Sequence, residues 1–404
     1  MKPFEAELVR AALPMPRASR LLLSLFSRLR YGSLRLNTPE GASFSFQGEL
    51  PGPSACFDVL DWHACGEILR RGDVGFAEGY IDHFWETDDL VSLITLAALN
   101  RDAVEKAIYG HWWGQILYRL RHFLRANTRT GSRRNIAAHY DLGNEFYRLW
   151  LDDSMTYSAG LFAEDPARSL EAAQIAKYDR VLERLRTRPG DRILEIGCGW
   201  GAFAAHAAAR GCTVHGVTLS QEQLRWAQAR AESAGLADRT RFELLDYRDT
   251  AGVYDHVVSL EMYEAVGERY WPAYFRTVRE RLKPGGRALV QAITIDDELF
   301  DRYRRGTDFI QQYVFPGGML ASPQVLRREV ERAGLGISDV FGFGDDYAET
   351  LRRWRMRFNR AIPEVRALGF DDRFVRLWNF YLAYCEAGFR ARSTDVFQVE
   401  LLHA

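Results

Sequence analysis

The stretch RILEIGCGWG, Arg192–Gly201, decides the fold. A five-residue run, mostly apolar, carries the acid Glu195 near its end, and glycines follow at alternate positions 197, 199 and 201. So short an apolar run, closed by glycines, reads as a buried strand turning sharply into a helix. GAFAAHAAARG supplies that helix and stops it at Gly211. Working outward, CTVHGVTLS is a second strand, and SQEQLRWAQARAESAG a second helix with Ser220 placed to cap it. RFELLDY, DHVVSLE and RALVQAITI read as three more strands, and ERYWPAYFRTVRERL, closed by KPGG, as the helix between the last two. SLEAAQIAKYDRVLERL precedes the set as a helix. QVLRREVERAG follows it as another, and FQVELL is a last strand, expected at the sheet edge. Such alternation makes an α/β fold, a mostly parallel sheet covered by helices on both faces.

The remaining sequence bounds the function. With 404 residues the chain has room for two or three domains, and its 47% hydrophobic content supports a sizeable core. A net charge of −1 gives no general reason to bind nucleic acid. The five cysteines (56, 65, 198, 212 and 385) form no CxxC pair, which suits a reducing compartment and disfavours a disulfide framework or a zinc module. The N-terminal apolar run around Leu21–Leu29 is broken by Ser24, Ser27 and Arg28, so it reads neither as a signal peptide nor as a span, and the expected location is the cytoplasm. Residues 17–34 read as an amphipathic helix, and Pro39-Glu40-Gly41 as a hairpin turn. Residues 1–110 are expected to form a small α+β domain. Residues 111–138 are expected to be a basic linker: QILYRLRHFLRANTRTGSRR (115–134) holds six arginines and no acid, a composition that can lie on an anionic membrane or simply pack on the next domain.

The glycine turn sits where a doubly wound sheet keeps its ligand, at the carboxyl ends of the strands. GCGWGA satisfies the dinucleotide pattern G-x-G-x-x-A, and also E-x-G-x-G-x-G with Glu195 at the strand end. A pyrophosphate prefers a helix start free of negative charge, whereas Glu195 suits a cationic ligand. S-adenosylmethionine carries an ammonium and a sulfonium and no phosphate. Thr218 and Gln223, after the second strand, can bond a ribose. Asp246 can accept from an adenine amino group and Tyr247 can stack on its ring. In this order the residues point to a methyltransferase.

The whole set of motifs goes further. HYDLGNEFY (139–147), MTYS (155–158), EAAQIAK (171–177), LEIGCGWG (194–201), GVTLSQEQ (216–223), DYRD (246–249), EAVG (264–267), DFIQQYVFPGG (308–318), DDYAETLRRW (345–354) and the terminal FRAR and FQVEL resemble the cyclopropane-fatty-acyl-phospholipid synthase family, which includes the mycolic acid cyclopropane synthases. The resemblance is dense over residues 139–404 and looser before 110. It implies a Rossmann-like, seven-stranded class I methyltransferase domain over 139–404, with an acyl-chain-binding insertion near 294–320. Phe309, Tyr313 and Phe315, with Ile310 and Val314, would either line that channel or pack as plain core.

The implied reaction is methyl transfer from S-adenosylmethionine to a cis double bond of a phospholipid acyl chain. A bound bicarbonate then deprotonates the resulting carbocation to close a cyclopropane ring. By motif, the bicarbonate site falls on Glu264, Tyr347, the Ile293 carbonyl, Gln291 and Ala159. At the last two this sequence departs from the family's His and Cys. Gln291 can donate a hydrogen bond but cannot carry charge, and at 159 only the backbone amide remains. The cofactor site falls on Tyr157, Ser158, Glu195, Gly197, Cys198, Gly199, Trp200, Gly201, Thr218, Leu219, Ser220, Gln223, Asp246, Tyr247 and Arg248. His139 is expected to be structural, and Cys198, which looks redox-active in its glycine turn, is simply the residue the family has there. No metal is implied. The expected partner is an unsaturated phospholipid membrane, met peripherally on its inner face, and a homodimer is a family expectation. Two departures from the donor set keep other outcomes open: a methylene- or methyl-branched product, another hydrophobic substrate, or a non-catalytic lipid-binding relative.

Overall fold

The structure, a computed structural model, describes residues 15–101, 142–163, 165 and 167–403. The basic linker expected at 111–138 and His139 lie outside the described residues. The chain divides into two compact units. One takes the described residues before 121 together with Val365–Ala391; the other takes those from 142 to Glu364 and from Arg392 onward.

The first unit is α+β. Strands β1 (Tyr31–Asn37), β2 (Ser43–Gln47), β3 (Leu50–Val59) and β4 (Trp85–Glu86) form one sheet in the order β2-β1-β3-β4. The hairpin about Pro39-Glu40-Gly41 joins β1 and β2 as expected. The amphipathic helix is shorter than its sequence pattern: it ends at Phe26, because Tyr31–Asn37 pairs with both neighbouring strands. A further correction concerns the boundary at 110. The helix Asp372–Arg390, expected in the catalytic domain, belongs to this unit and packs on the helices Asp73–Ile81 and Leu90–Leu99. Phe380 meets Phe76 and Tyr80 at centroid distances of 6.0 and 5.8 Å, and the Arg376 guanidinium lies 3.9 Å from the Tyr80 ring centre. Its aromatic stripe is a helical pattern that does not name its own partner.

The second unit is a seven-stranded sheet with helices on both faces. Its strands are β5 (Arg192–Ile196), β6 (Thr213–Thr218), β7 (Thr240–Leu244), β8 (Tyr254–Leu260), β9 (Leu282–Ile295), β10 (Gly336–Gly342) and β11 (Thr394–Leu402). The order is β10-β11-β9-β8-β5-β6-β7, parallel from β9 through β7, with β11 antiparallel to both neighbours. β5 is buried from Ile193 to Ile196, as a central parallel strand must be. The expectation of FQVELL as an edge strand is corrected: β11 is internal, and the edge is β10, GISDVFG, which alternates between exposed and half-buried positions and so lacks an apolar run. Ser220 caps the helix Gln221–Ser233 through its Oγ, which accepts from the Gln223 amide at 3.3 Å. The chain leaves β5 toward β6 on one side and later returns to β8 on the other. The ends of β5 and β8 are therefore the switch point at which this topology opens a crevice.

Candidate active site

The turn after β5 builds a cradle. Gly197, Gly199 and Gly201 all have left-handed backbone, with φ of 80, 51 and 77°. A Cβ on Gly197 would lie 2.6 Å from Met262 Cγ, and one on Gly201 would lie 2.8 Å from Ala227 Cβ; at Gly199 it would meet nothing within 4 Å. Two glycines thus allow close packing and the third leaves room. The Gly197 and Cys198 amides both donate to the Val217 carbonyl at 3.0 Å, which ties the turn to β6. Burial raises the Cys198 thiol well above its usual range, with Glu195 adding to it, so this cysteine is a packed thiol rather than a reactive one.

Glu195 is 3% exposed at the end of β5, and its Oε2 has no hydrogen-bond partner among the described residues. Burial pushes its carboxyl up, against the pull of the Lys177 ammonium. An enclosed carboxylate with a spare acceptor, beside a turn with open space at Gly199, fits the cationic amino-acid end of S-adenosylmethionine. Thr218, the partly buried Leu219, Ser220 and Gln223 gather at the end of β6. There the Thr218 hydroxyl donates to Gln223 Oε1 at 2.8 Å and accepts from the Ser220 amide at 3.1 Å. Trp200 is buried and donates from Nε1 to Asn144 Oδ1 at 2.7 Å.

Two of the expected cofactor positions have contacts of their own. The Asp246 carboxylate already accepts from Arg248, through Nε at 2.8 Å and Nη2 at 2.6 Å. Tyr247 is 8% exposed and belongs to the core with Leu194, Ile196 and Tyr274, the last at 5.6 Å in an edge-to-face pair. Most of its ring surface is spent on that core.

Three of the five residues assigned to bicarbonate, Ala159, Gln291 and Tyr347, converge on a group that the motifs do not name, while the other two, Glu264 and Ile293, bond each other. Glu261 follows β8 directly, with a left-handed φ of 54° that a non-glycine residue rarely adopts. Its Oε1 accepts from the Ala159 amide at 2.8 Å and from Gln291 Nε2 at 2.6 Å. Its Oε2 accepts from the Tyr347 hydroxyl at 2.6 Å. The anion held by these three donors is therefore a carboxylate of the chain itself. Bicarbonate does not fit at these three donors, because Glu261 already takes them. Ile293 gives its amide, not a carbonyl, to this cluster: the amide donates to Glu264 Oε1.

The two glutamates have different environments. Burial raises both, but Glu261 is opposed by Lys177 and by its three donors, all of which favour the anion. Glu264 has a single amide donor and an enclosed Oε2 with no partner among the described residues, and it feels Glu261 as a like charge. Burial, then that charge, push it up to about 8. Glu261, with three donors and Lys177 favouring its anion, thus stands beside Glu264, whose burial and like-charged neighbour favour its proton, a split typical of acid–base sites. The visible signal was the spacing E-M-Y-E, 261–264, of which only the second acid was matched to the family.

Lys177, also missed, is completely buried. Its Nζ donates to Ser158 Oγ at 2.5 Å, while Gln174 of the same helix, Leu170–Leu185, donates to the Ser158 carbonyl at 2.8 Å. The peptide whose amide reaches Glu261 is thus clamped from behind. Burial lowers Lys177 to about 8, although Glu261, Asp152 and Glu195 favour its charge. Tyr157 lies against Trp150 and Trp354 at 5.4 Å each, against Tyr147 at 5.7 Å and against Phe315 at 6.5 Å. Of the insertion aromatics, Phe315 reaches this wall, whereas Phe309 is fully buried and stacks on Tyr313 at 5.5 Å. The Met319 amide donates to the Glu264 carbonyl at 2.8 Å, which anchors the insertion beside the acids.

Comparison with known proteins agrees with this geometry. The sequence profile of mycolic acid cyclopropane synthetase matches residues 127–399. The chain belongs to that family. It is 42% identical over 343 residues to the tuberculostearic acid methyltransferase of Mycobacterium tuberculosis, covering 83% of this chain and 80% of that protein. It is 35% identical over 335 residues to the cyclopropane-fatty-acyl-phospholipid synthase of Escherichia coli, covering 82% and 84%. The crystal structure of the mycolic acid cyclopropane synthase CmaA1 complexed with SAH and CTAB superposes with a TM-score of 0.63 at 30% identity, over 67% of this chain and 98% of that one. Members of this cyclopropane synthetase family are S-adenosylmethionine-dependent methyltransferases, and this protein is such an enzyme, acting on lipid acyl chains. Among the described residues no helix is long and apolar enough to cross a membrane.

Proposed function

We propose that the protein methylates the cis double bond of unsaturated phospholipid acyl chains at a membrane surface, and that Glu261 replaces bicarbonate as the base. The observation that carries the reading is the convergence of the Ala159 amide, Gln291 and Tyr347 on the Glu261 carboxylate. Bound S-adenosylmethionine supplies an electrophilic methyl group. Glu195 and the glycine turn hold the amino-acid end, and the aromatic wall around Tyr157 keeps water away from the reacting carbons. Methylation leaves a cation on the chain. Glu261, held anionic by its donors and by Lys177, takes a proton from the new methyl group, and the electrons of that C–H bond close a cyclopropane ring. Glu264 stays protonated, so the site holds one base rather than two repelling anions. The membrane contact follows from where acyl chains reside.

A second product is favoured by the altered donor set at Ala159 and Gln291. If a hydride shifts before deprotonation, the same proton removal gives an exomethylene chain. A saturated methyl branch would additionally need a hydride donor.

The test is turnover on liposomes of monounsaturated anionic phospholipid, with S-adenosylmethionine, in carbonate-free buffer. Turnover should be independent of added bicarbonate, and Glu261→Gln should lose roughly 10²–10⁴-fold in rate, the usual worth of a general base. Mass spectrometry and NMR of the released chains identify the ring or the methylene. A requirement for bicarbonate in the wild type, or a fully active Glu261→Gln, would refute the base assignment. Unmodified lipid despite cofactor binding would refute the substrate.

A further inference from the structure

Gln291 is an ambiguous group to place against a carboxylate. Its amide has a donor end and an acceptor end of nearly equal shape, and only the donor end stabilises an anion. Gln291 is fully buried in β9, so the choice is made by whatever faces its oxygen. That group is Gln398, directly opposite on β11 and 1% exposed, whose Nε2 donates to Gln291 Oε1 at 3.0 Å. Gln398 is as ambiguous as Gln291. Its own oxygen, however, accepts from Arg180 Nη1 at 2.6 Å. A guanidinium can only donate, so the direction of the whole chain is set at the arginine. Arg180 is in turn fixed by Asp339 at 3.0 Å and lies 4.0 Å from the centre of the Phe341 ring.

We propose that Arg180 and Gln398 are positioning residues, which lock the Gln291 amide with its NH2 toward Glu261 and so keep that carboxylate a base. The inference rests on Glu261 as the base. Neither residue touches the reacting atoms. Each acts through Gln291, across two strands from the helix Leu170–Leu185. The charged and titratable groups around Glu261 are Lys177 on that helix, Glu264 after β8 and Tyr347 on the helix Gly344–Arg360. Glu195 and Asp152 share Lys177 with it. The variants below leave all of these intact.

Gln398→Glu is the informative substitution. A carboxylate at 398 keeps Arg180 as a donor but can only accept from Gln291, which turns the Gln291 oxygen onto Glu261. The acid limb of the pH–rate profile should rise by about one pH unit or more, the size expected when a hydrogen bond to a carboxylate is replaced by repulsion. Cofactor affinity, measured by calorimetry, should stay within about twofold of wild type, since Gln398 lies outside the cofactor cradle. Arg180→Met should shift the limb in the same direction and Arg180→Lys, which restores a donor, should return it; this pair also serves if Gln398→Glu does not fold. An unshifted acid limb in both Gln398→Glu and Arg180→Met, with Glu261→Gln inactive, would overturn the proposal and leave the chain as ordinary buried polar packing. An active Glu261→Gln marks failure of the base reading itself.

Discussion

Replacing Glu264 with glutamine tests the split between the two acids through stability. Glu264 rises from 4.5 to about 8, chiefly by burial and then by the Glu261 charge. An acid with a raised folded value holds its proton more tightly when folded. Its contribution is therefore complete below pH 4.5 and is lost as pH climbs through 8. Each unit within that window is worth about 1.4 kcal/mol, which bounds the loss near ~5 kcal/mol. The residue as a whole keeps some exposure although Oε2 is enclosed, and solvent screening reduces the expected loss to roughly 2–3 kcal/mol. Glutamine does not titrate, so Glu264→Gln should lack this slope. Lys177, lowered to about 8 from 10.5, gives the opposite slope, but only at higher pH. Urea unfolding followed by circular dichroism between pH 5 and pH 8 isolates the glutamate. The wild type should lose stability relative to the variant as pH rises. Parallel curves for the two proteins would refute the reasoning, because they would mean Glu264 ionises as freely in the folded state as in the unfolded one.

Other substitutions probe the remaining parts of the site. Lys177→Met removes the charge that opposes desolvation of Glu261 and should raise the acid limb of the pH–rate profile by about 1–3 units, the usual effect of a close opposite charge; an unchanged profile would detach Lys177 from the base. Gly197→Ala forces a Cβ to 2.6 Å from Met262 Cγ at a φ of 80°, and should weaken both thermal stability and cofactor binding. Gly199→Ala meets open space and should cost only about 1–2 kcal/mol of left-handed strain. Equal melting temperatures for the two would contradict this packing. Thr350→Val strips the acceptor from the Gly160 amide, now bonded at 3.0 Å, and should cost about 1–3 kcal/mol in urea denaturation.

The α/β alternation, the ligand turn and the family are legible along the chain. Each of these is a local pattern: Arg192–Ile196 must be buried on both faces, and the glycines at 197, 199 and 201 permit positive φ where another residue would strain or clash. The positions of Ala159, Gln291 and Tyr347 were also legible, because motifs carry them. What occupies the space between them was not. Glu261 stands beside them only because β8 ends next to β5 and β9, and neither spacing nor composition states that an acid in S-L-E-M-Y is held by donors from residues 159, 291 and 347. Lys177 likewise reads as one more charge on an amphipathic helix until packing buries it against Ser158. The internal place of β11 and the transfer of Asp372–Arg390 to the N-terminal unit were decided the same way. Local propensity acts along the chain, whereas partners, burial and therefore protonation are set by residues far apart in sequence that only the folded chain brings together.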